Sequence, residues 1–357
     1  MIKSENYEIS QDHPSYFIAD IAANHDGSLN RALELLELCA ESGASAAKFQ
    51  HFRAETIVSD LGFRSLGGKL THQKSWKESV YDVYKKAELS LEWTDTLVSK
   101  CKALQIDFFS AVYDLELIDL LAKQMPFFKI GSGDINWIQA IDKMISFKKP
   151  IFLATGASSI TEVKETVNSI LAANVPLVLM QCNTNYTSSE YNIHFLNLNV
   201  LDEYKKLFPE VILGLSDHTQ DMSVVVAAVA KGARVIERHF TDDITRPGPD
   251  HKFSLNPTMW RNMVDTIRTL EKCLGDGQKK IEENEIDARI VQRRSIRAAR
   301  PIKRGELIQE SDLVCLRPCP KEGLPPSAMK ELIGSEAKIN LGTHDLIPSD
   351  WLRKSDS

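Results

Sequence analysis

Two histidines in this chain of 357 residues follow short apolar runs that are typical of buried parallel strands. His218 ends the run ILGLSDH, and His239 lies in VIERHFT, where apolar residues give way to charged ones. α/β enzymes carry their chemistry at the C-terminal ends of such strands. We therefore expect the two imidazoles to share a divalent cation that keeps open positions for water and a substrate oxygen. The alternative is a pair of core histidines that hydrogen-bond to carbonyl groups.

The predicted ion is exchangeable, because two imidazoles without a protein carboxylate hold a divalent cation only moderately. Mn²⁺ is the preferred candidate, and Mg²⁺ or Co²⁺ are the others. An ion of this kind acts as a Lewis acid that polarises a carbonyl group.

Two lysines, Lys48 and Lys129, interrupt other apolar runs, so their ammonium groups should point towards the same strand ends. With nearby hydroxyl groups and the amides of a GSG turn they would bind a phosphate or carboxylate. Two alternatives remain open: each lysine pairs with an aspartate such as Asp20 or Asp134, or one lysine forms a Schiff base. The polar residues at strand ends that we expect to share a ligand are Asp20, Lys48, Gln50, Ser110, Lys129, Ser132, Asp134, Thr155, Asn183, Tyr186, Ser216, His218, Glu237 and His239.

The elements that position these residues are eight apolar runs with amphipathic segments between them. The segment LNRALELLELCAESG, for example, has helical spacing and places Gly43 where a helix C-cap belongs. Eight alternations predict a (β/α)₈ TIM barrel that ends near Leu274, within a first domain of residues 1–280. A doubly wound open sheet is the alternative, although no GxGxxG follows the first run. The polar stretch 62–86 interrupts the series and is interpreted as a lid or substrate loop.

The pattern changes after the barrel. Residues 281–292 belong to a charged helical linker, and residues 293–357 show short strand-like runs with turn signals but no long helix. About sixty-five residues form only a marginal core, so this part would gain from docking elsewhere. We predict a small β-rich second domain here.

Composition restricts the partners and the compartment. The net charge of −6 gives no general attraction to nucleic acid or to an anionic membrane. The six cysteines are scattered without a CxxC pair, which indicates reduced thiols in the cytoplasm. The chain shows neither a signal peptide nor an apolar run that could span a bilayer. We expect a cytoplasmic protein that binds small molecules and neither nucleic acid nor membrane.

Taken together, several motifs resemble the sialic acid synthase family, the phosphoenolpyruvate-dependent synthases of nonulosonic acids. The matching stretches are IADIAANHDG, AAKFQ, KIGSGD, ATGAS, NTNYT, GLSDHT, ERHFTDD and RPGPDHKFS, followed in the tail by RRSIRA, LRPCPKEGLPP and LIG. The resemblance implies a barrel joined to an antifreeze-like (SAF) domain, in a domain-swapped homodimer whose tails cover the partner barrels. The implied reaction joins phosphoenolpyruvate to an open-chain N-acylated amino sugar, either N-acetylmannosamine or a diacetamido-trideoxyhexose, and releases phosphate.

The resemblance also implies roles for individual residues. It makes His218 and His239 the metal ligands, and Asp20 and Asp134 stand where the best-known members have glutamate. Arg317 of the tail would reach the N-acyl group of the sugar in the partner barrel. The implied contacts to phosphoenolpyruvate are Lys48, Lys129, Ser132, Asn183 and Ser216, and those to the sugar are Gln50, Tyr186 and Asp250.

Three rival functions remain open at this point. A Schiff-base aldolase on the same barrel would use Lys48 or Lys129 as its nucleophile. Other metal-dependent synthases of keto-deoxy sugar acids differ mainly in lacking the tail domain. A sugar-binding or ice-binding protein is suggested by the tail alone, but the polar strand ends argue against it.

Overall fold

Eight parallel strands close into a barrel in which each strand pairs with the next one along the chain and the last pairs with the first, which confirms the predicted (β/α)₈ class and excludes the open sheet. The computed structural model describes residues 1–187 and 189–352, without the side chains of Thr71 and Ser75. The barrel strands are β3 (Tyr16–Asp20), β4 (Ala46–His51), β5 (Asp107–Val112), β6 (Phe128–Ile130), β7 (Ile151–Ala154), β8 (Leu177–Cys182), β9 (Ile212–Asp217) and β10 (Val235–His239). A short hairpin of β1 (Ile2–Lys3) and β2 (Glu8–Ile9) precedes them.

Helices cover the barrel because each has one apolar face and a local start signal. The helix α1 begins after Ser28, whose hydroxyl accepts from the Arg31 amide, and it buries Leu35 and Leu36. Gly43 follows its end with a φ of +85°, the left-handed conformation that favours glycine. The helices of the first unit are α1 (Leu29–Glu41), α2 (Ala54–Ile57), α3 (Asp60–Ser65), α4 (Val80–Ala87), α5 (Thr94–Ala103), α6 (Leu115–Leu121), α7 (Ile138–Ser146), α8 (Ile160–Ala172), α9 (Val200–Leu207), α10 (Met222–Ala230) and α11 (Pro257–Leu274).

The barrel interior is layered. Its lower layer is aromatic: Phe127 stacks on Phe152 with ring centroids 4.9 Å apart, and Phe109 and Tyr16 meet them edge-on. Since side chains alternate along a strand, the inward residues nearer the C-terminal ends form the next layer, which contains the charged side chains of Asp20, Lys48, Lys129 and Glu237. A solid aromatic layer below a charged one seals the lower end of the barrel and leaves its upper end for ligands.

The second compact unit is Asp276–Ser357, and the first is Met1–Gly275. The second unit contains α12 (Ile286–Gln292), α13 (Met329–Leu332) and an antiparallel pair, β11 (Ser295–Ala298) and β12 (Leu313–Leu316). Its own core includes Ile296, Ile302, Ile308, Leu332 and Ile347. Regular strand is scarcer than the prediction of a β-rich domain suggests, because isolated bridges such as Ile302 with Leu341 supply much of the pairing. The last five residues of the predicted domain lie outside the described residues.

None of the helices in the described part of the chain combines the length and the apolar character needed to cross a bilayer. All six cysteines are free thiols.

Candidate active site

Two ammonium groups and two carboxylates form the floor of the barrel mouth. The Lys48 Nζ lies 2.7 Å from Asp20 Oδ2 and 3.8 Å from Glu237 Oε1. The Lys129 Nζ lies 3.5 Å from the same Glu237 oxygen. Each of these four side chains is at most 6% exposed, so their charges interact through a poorly screened interior. The predicted orientation towards the strand ends and the alternative of pairing with a carboxylate therefore both apply: the lysines point into the mouth, and each has a carboxylate partner.

The floor is built by neighbouring strands in register. Asp20 of β3 is the partner of Lys48 on one side and of His239 on the other. Glu237 of β10 is opposite Ser216 of β9, whose hydroxyl donates to the Glu237 carboxylate over 3.2 Å. Four adjacent strands, in the order β4, β3, β10 and β9, thus bring five polar groups together near their C-terminal ends.

The two predicted metal ligands lie together at the edge of this floor. The rings of His218 and His239 have centroids 5.5 Å apart. The Nε2 of His239 is 3.4 Å from Asp20 Oδ2, and the Nδ1 of His218 is 3.0 Å from the carbonyl oxygen of Asn183. Burial, together with the nearby His218 and Lys48, holds the pKa of His239 well below its ordinary value. His239 is therefore neutral, the form that binds metals.

The residues fit a divalent cation. Three buried atoms of the floor and of the histidine pair have no hydrogen-bond partner: Asp20 Oδ1, Glu237 Oε2 and His239 Nδ1. Two lysines and two carboxylates leave the floor with no net charge, so an anionic substrate would need a further positive charge. The described residues contain no group of three or more His, Cys, Asp or Glu that could hold a metal. An ion here would rest on His218 and His239 and take its other ligands from water and substrate, and it would thus exchange readily.

His218 carries a second interaction that bears on this fit. Burial opposes a charge on its ring, but a hydrogen bond with the Cys182 sulfur raises the pKa of His218 and lowers that of Cys182. A metal ion binds only the neutral imidazole, so it would have to displace a proton from this pair.

Above the floor lies a cavity of about 410 Å³. Its lining includes five of the predicted site residues: Gln50, Ser132, Asp134, Tyr186 and Asp250, in addition to His239. Tyr186 covers both imidazoles, with its ring centroid 4.1 Å from that of His218 and 6.3 Å from that of His239. Ser132 shares a hydrogen bond of 2.7 Å with the Thr184 hydroxyl.

Two carboxyl groups of the cavity are poised near neutral pH. Burial raises the pKa of Asp134 to about 6, although the Lys129 charge acts in the opposite direction. Burial also raises the pKa of Asp250 to about 6, against a hydrogen bond from the Ala23 amide, which lies 3.1 Å from Asp250 Oδ2. Groups of this kind can exchange protons at physiological pH.

The loop that carries Asp250 is fastened to the first strand end. Arg246 donates to Asp26 Oδ2, and the His251 Nε2 lies 2.9 Å from Asp26 Oδ1. The other ring nitrogen of His251 is 2.8 Å from the Thr241 hydroxyl. The stiff RPGPDH sequence is therefore held at both ends, which fixes the position of Asp250 over the cavity.

Two predicted site residues do not face the cavity, because alternate residues of a strand point to opposite sides. Phe109 of β5 packs inside the barrel, so Ser110 points outwards, where its hydroxyl lies 2.8 Å from His51 Nδ1. The hydroxyl of Thr155, which follows β7, accepts from Tyr204 of the surrounding helix α9. The substrate-binding prediction for Ser110 and Thr155 is wrong for a direct contact.

Two further predicted residues lie elsewhere. The side-chain amide of Asn183 donates to the carbonyl of Phe195 over 3.2 Å, and its backbone carbonyl supports His218. Arg317 belongs to the second unit and is exposed at the end of β12, and its predicted reach to a partner barrel stays a prediction.

Sequence reasoning assigned no role to several residues of the site. The sequence predicts Glu237 only as one of the polar residues at strand ends, although its spacing of two residues from His239 puts both side chains on one face of β10. Tyr113 follows β5 and lines the cavity against Gly131, where an added Cβ would meet its hydroxyl oxygen at 2.8 Å. The segment after β4 adds further lining residues, which are His72, Gln73, Trp76, Val83, Tyr84 and Ala87. Only the length and aromatic content of that segment could have signalled them.

A closed parallel barrel with lysines, carboxylates and imidazoles gathered below a polar cavity is the arrangement of a TIM-barrel enzyme. The family model of the NeuB family matches residues 35–279, and that of the SAF domain matches residues 293–353. The chain belongs to the NeuB family, the nonulosonic and sialic acid synthases, and is an enzyme of the synthase type.

Individual relatives agree with this assignment. The chain is 35% identical over 333 residues to N,N'-diacetyllegionaminic acid synthase of Legionella pneumophila, covering 91% of each chain. It is 29% identical over 336 residues to the human N-acetylneuraminate-9-phosphate synthase, covering 94% of this chain and 92% of that one. A solved sialic acid synthetase from Leptospira borgpetersenii, in complex with citrate, has a TM-score of 0.70 at 26% identity and covers 80% of this chain and 94% of its own.

Proposed function

We propose that this enzyme condenses phosphoenolpyruvate with the open-chain form of an N-acylated amino sugar, giving a nonulosonic acid and inorganic phosphate. The observation that carries the proposal is the floor, where Lys48 and Lys129 lie within one barrel layer of the two imidazoles. That spacing suits two reactants, an anionic enol phosphate on the lysines and an aldehyde beside the histidines. The names of the relatives support an acid product.

The chain's own residues bind and orient the two substrates. Lys48 and Lys129 neutralise phosphoenolpyruvate, and Ser132 and Ser216 hydrogen-bond to its oxygens. Gln50, Tyr186 and Asp250 contact the sugar and hold its aldehyde carbon near the methylene carbon of the enol. Holding two reactants in this way removes much of the entropic barrier, which is worth several kcal/mol. A divalent ion on His218 and His239, preferably Mn²⁺, supplies Lewis-acid polarisation of the aldehyde.

The bonds change in a balanced sequence. The methylene carbon of phosphoenolpyruvate bonds to the aldehyde carbon, and the aldehyde oxygen takes a proton to become a hydroxyl. Water adds to the former enol carbon and gives up a proton, for which the Asp134 carboxylate is suited by its near-neutral pKa. The carbon–oxygen bond to phosphate then breaks while the new hydroxyl group becomes the keto oxygen, and its proton passes to the departing phosphate. Asp20 stabilises the Lys48 ammonium throughout.

The Schiff-base aldolase is disfavoured by the state of its candidate nucleophile. Burial opposes the charge on Lys48, but the Asp20 and Glu237 carboxylates raise the pKa of Lys48 above its ordinary value. Lys48 is therefore an ammonium group, whereas a Schiff base requires a free amine. Borohydride trapping with a keto acid should leave both lysines unmodified.

The working unit that we propose is the domain-swapped homodimer, with Arg317 of one chain serving the barrel of the other. Six free thiols suit the cytoplasmic location that we propose for it.

Phosphate release from phosphoenolpyruvate tests the function directly. We expect release only when an N-acylated amino sugar is present, loss of release after chelation of divalent ions, and recovery with Mn²⁺. Full activity in metal-free enzyme would contradict the metal role. Calorimetric titration of Mn²⁺ into His239→Ala should show weaker binding than into the parent, and this measurement does not depend on turnover.

A further inference from the structure

A buried ion pair joins the two strands that carry His218 and His239. Arg238 of β10 donates from Nε to Asp217 Oδ2 of β9 over 2.8 Å, and its Nη2 nitrogen bonds to the same oxygen. The Arg238 side chain is 1% exposed and that of Asp217 is 0% exposed. Because side chains alternate along a strand, this pair points away from the barrel interior, into which the two histidines point. We call Asp217 and Arg238 the strand clamp.

The strand clamp lies at the last register pair between β9 and β10, in which Arg238 is the partner of Asp217. His218 and His239 each follow one residue later along their strands. The register of these two strands thus ends one residue short of both imidazoles. A side-chain link at this point acts directly on the spacing of the two histidines.

Arg238 also holds the chain on the far side of His218. Its Nη2 donates to the Thr219 hydroxyl over 3.0 Å and to the backbone carbonyl of Asp221 over 2.8 Å. Thr219 in turn donates to Asp217, from its amide over 3.1 Å and from its hydroxyl over 2.9 Å. One arginine from the strand of His239 therefore fixes the backbone on both sides of His218.

Stability alone does not require a clamp of this kind. Taking both charges out of water costs free energy, and apolar side chains of similar volume often stabilise a core as well as a buried ion pair or better. The third guanidinium nitrogen of Arg238, Nη1, is buried without a hydrogen-bond partner among the described residues, which adds to that cost. An apolar pair cannot supply direction, whereas the rigid guanidinium fork bonds to several acceptors at fixed angles.

We propose that Asp217 and Arg238 are positioning residues that set the separation and orientation of the imidazoles of His218 and His239, and thereby the affinity of this site for a divalent ion. This inference rests on the proposed function, which takes the two histidines as ligands of that ion. With only two protein ligands, a displacement of either ring disturbs half of the coordination that the chain supplies. Replacing residues that orient metal ligands typically weakens metal binding by roughly 10- to 100-fold.

The decisive variant replaces both residues together, Asp217→Leu with Arg238→Met. It removes the ion pair without leaving a buried charge unpaired, so the midpoint of urea unfolding should stay close to that of the parent. Calorimetric titration of Mn²⁺ should nevertheless give a dissociation constant at least roughly 10-fold higher than that of the parent. Equal Mn²⁺ affinity of the parent and the folded double variant would overturn the inference.

A milder variant keeps the test decisive if the double variant does not fold. Thr219→Val retains the ion pair and the volume of the side chain, and it removes the hydroxyl that joins Arg238 to Asp217. We expect weaker Mn²⁺ binding than in the parent and, with Co²⁺ bound instead, a changed visible d–d absorption spectrum, which reports the geometry of the ligands. A Mn²⁺ dissociation constant and a Co²⁺ spectrum identical to those of the parent would overturn the inference.

The matched control breaks a buried polar contact at the opposite end of the barrel. The Tyr16 hydroxyl donates to Asp107 Oδ2 over 2.7 Å, and both residues begin their strands. Tyr16→Phe should lower the midpoint of urea unfolding and leave Mn²⁺ affinity unchanged. An equal loss of Mn²⁺ affinity in this variant would show that general destabilisation, and not the strand clamp, is the cause.

The parent protein separates this inference from the proposed function. If the parent binds no Mn²⁺, the metal role in the proposed function is wrong and the inference falls with it. If the parent binds Mn²⁺ and releases phosphate from phosphoenolpyruvate, but the double variant binds Mn²⁺ equally well, only the inference is wrong.

Discussion

The charged floor of the cavity and the wall that the segment 57–87 forms beside it differ in the elements that hold them in place. The floor residues are on barrel strands, almost fully buried, and linked by ion pairs between Lys48, Lys129, Asp20 and Glu237. The residues of this wall lie in an insertion that contains short helices, and Trp76 and Tyr84 are only half-buried. Rigid strands fix the reacting groups, while a segment outside the strand–helix repeat can change its side chains without disturbing them. The charged groups for which we propose the chemistry and the side chains of the insertion thus belong to separate parts of the fold within one cavity.

The largest effect should come from breaking the floor. Lys48→Met leaves the Asp20 carboxylate buried without its closest cation, and removing one partner of a buried ion pair costs about 3–5 kcal/mol. It also removes a charge that aligns phosphoenolpyruvate, so kcat/KM should fall by roughly 10³-fold. Phosphate release and urea unfolding measure the two effects.

The matched control for this variant is Lys3→Met, because Lys3 makes an exposed ion pair with Glu8. Exposed pairs contribute little, so both activity and stability should stay close to those of the parent. A comparable loss of activity and stability in both variants would show that the buried ion pairs of the floor contribute no more than an exposed pair.

A smaller effect is expected from the tail. Arg317→Ala should raise KM for the sugar with little change in kcat. When Arg317→Ala and Lys48→Met chains are mixed, random pairing in a swapped dimer gives about a quarter of the sites both an intact barrel and an intact tail. Activity at low sugar concentration should return to about that level. If the mixed sample shows only the sum of its two parents, the tail does not serve a partner barrel.

The pH dependence of the free energy of unfolding should reveal the raised pKa of Asp250. Its carboxyl group has a pKa of about 6 in the folded protein against an ordinary value of 3.8, so between these pH values the folded state holds a proton that the unfolded chain has lost. The free energy of unfolding therefore decreases as pH rises through this window and stays lower above it. Asp250→Asn should be more stable than the parent by about 1 kcal/mol at pH 8, because the group is only half-buried.

The two proteins should approach equal stability as pH falls towards the ordinary value of 3.8, because the aspartate of the unfolded chain then also takes up its proton. Denaturant titrations across pH 4–8 check the sign. A parent protein that is more stable than Asp250→Asn at high pH would show that the carboxylate is favourably paired.

The smallest effect concerns the helix N-caps within the segment 57–87, which forms one wall of the cavity. The Ser79 hydroxyl accepts from the Asp82 amide over 3.0 Å at the start of α4, and losing such a cap costs about 1 kcal/mol. Ser79→Ala should raise KM for the sugar about 2- to 5-fold through looser placement of α4, with kcat unchanged. Ser59→Ala is the control, since Ser59 caps α3, whose residues do not line the cavity. Equal KM values in the two variants would show that the capping of α4 does not affect how the cavity binds the sugar.

The sequence was most informative where periodicity and residue type agree. Short apolar runs that end in charge predicted all eight barrel strands, because a parallel strand is buried on both faces and its C-terminal end must display polar groups. Family motifs identified the synthase class. The prediction for Ser110 and Thr155 assumes that a polar residue at a strand end faces the cavity, whereas the alternation of side chains directs these two outwards to His51 and Tyr204.

The sequence by itself determined the barrel, the second unit and the pair of histidines, since these depend on local patterns that repeat along the chain. Only the tertiary structure decided that Glu237 lies between two lysines and that Trp76 and Tyr84 reach the same cavity as His239. Those contacts join residues distant in sequence, and they form because barrel closure brings β3, β4, β6 and β10 to one level. Charge pairing and cavity shape arise from that closure, and no local pattern encodes them.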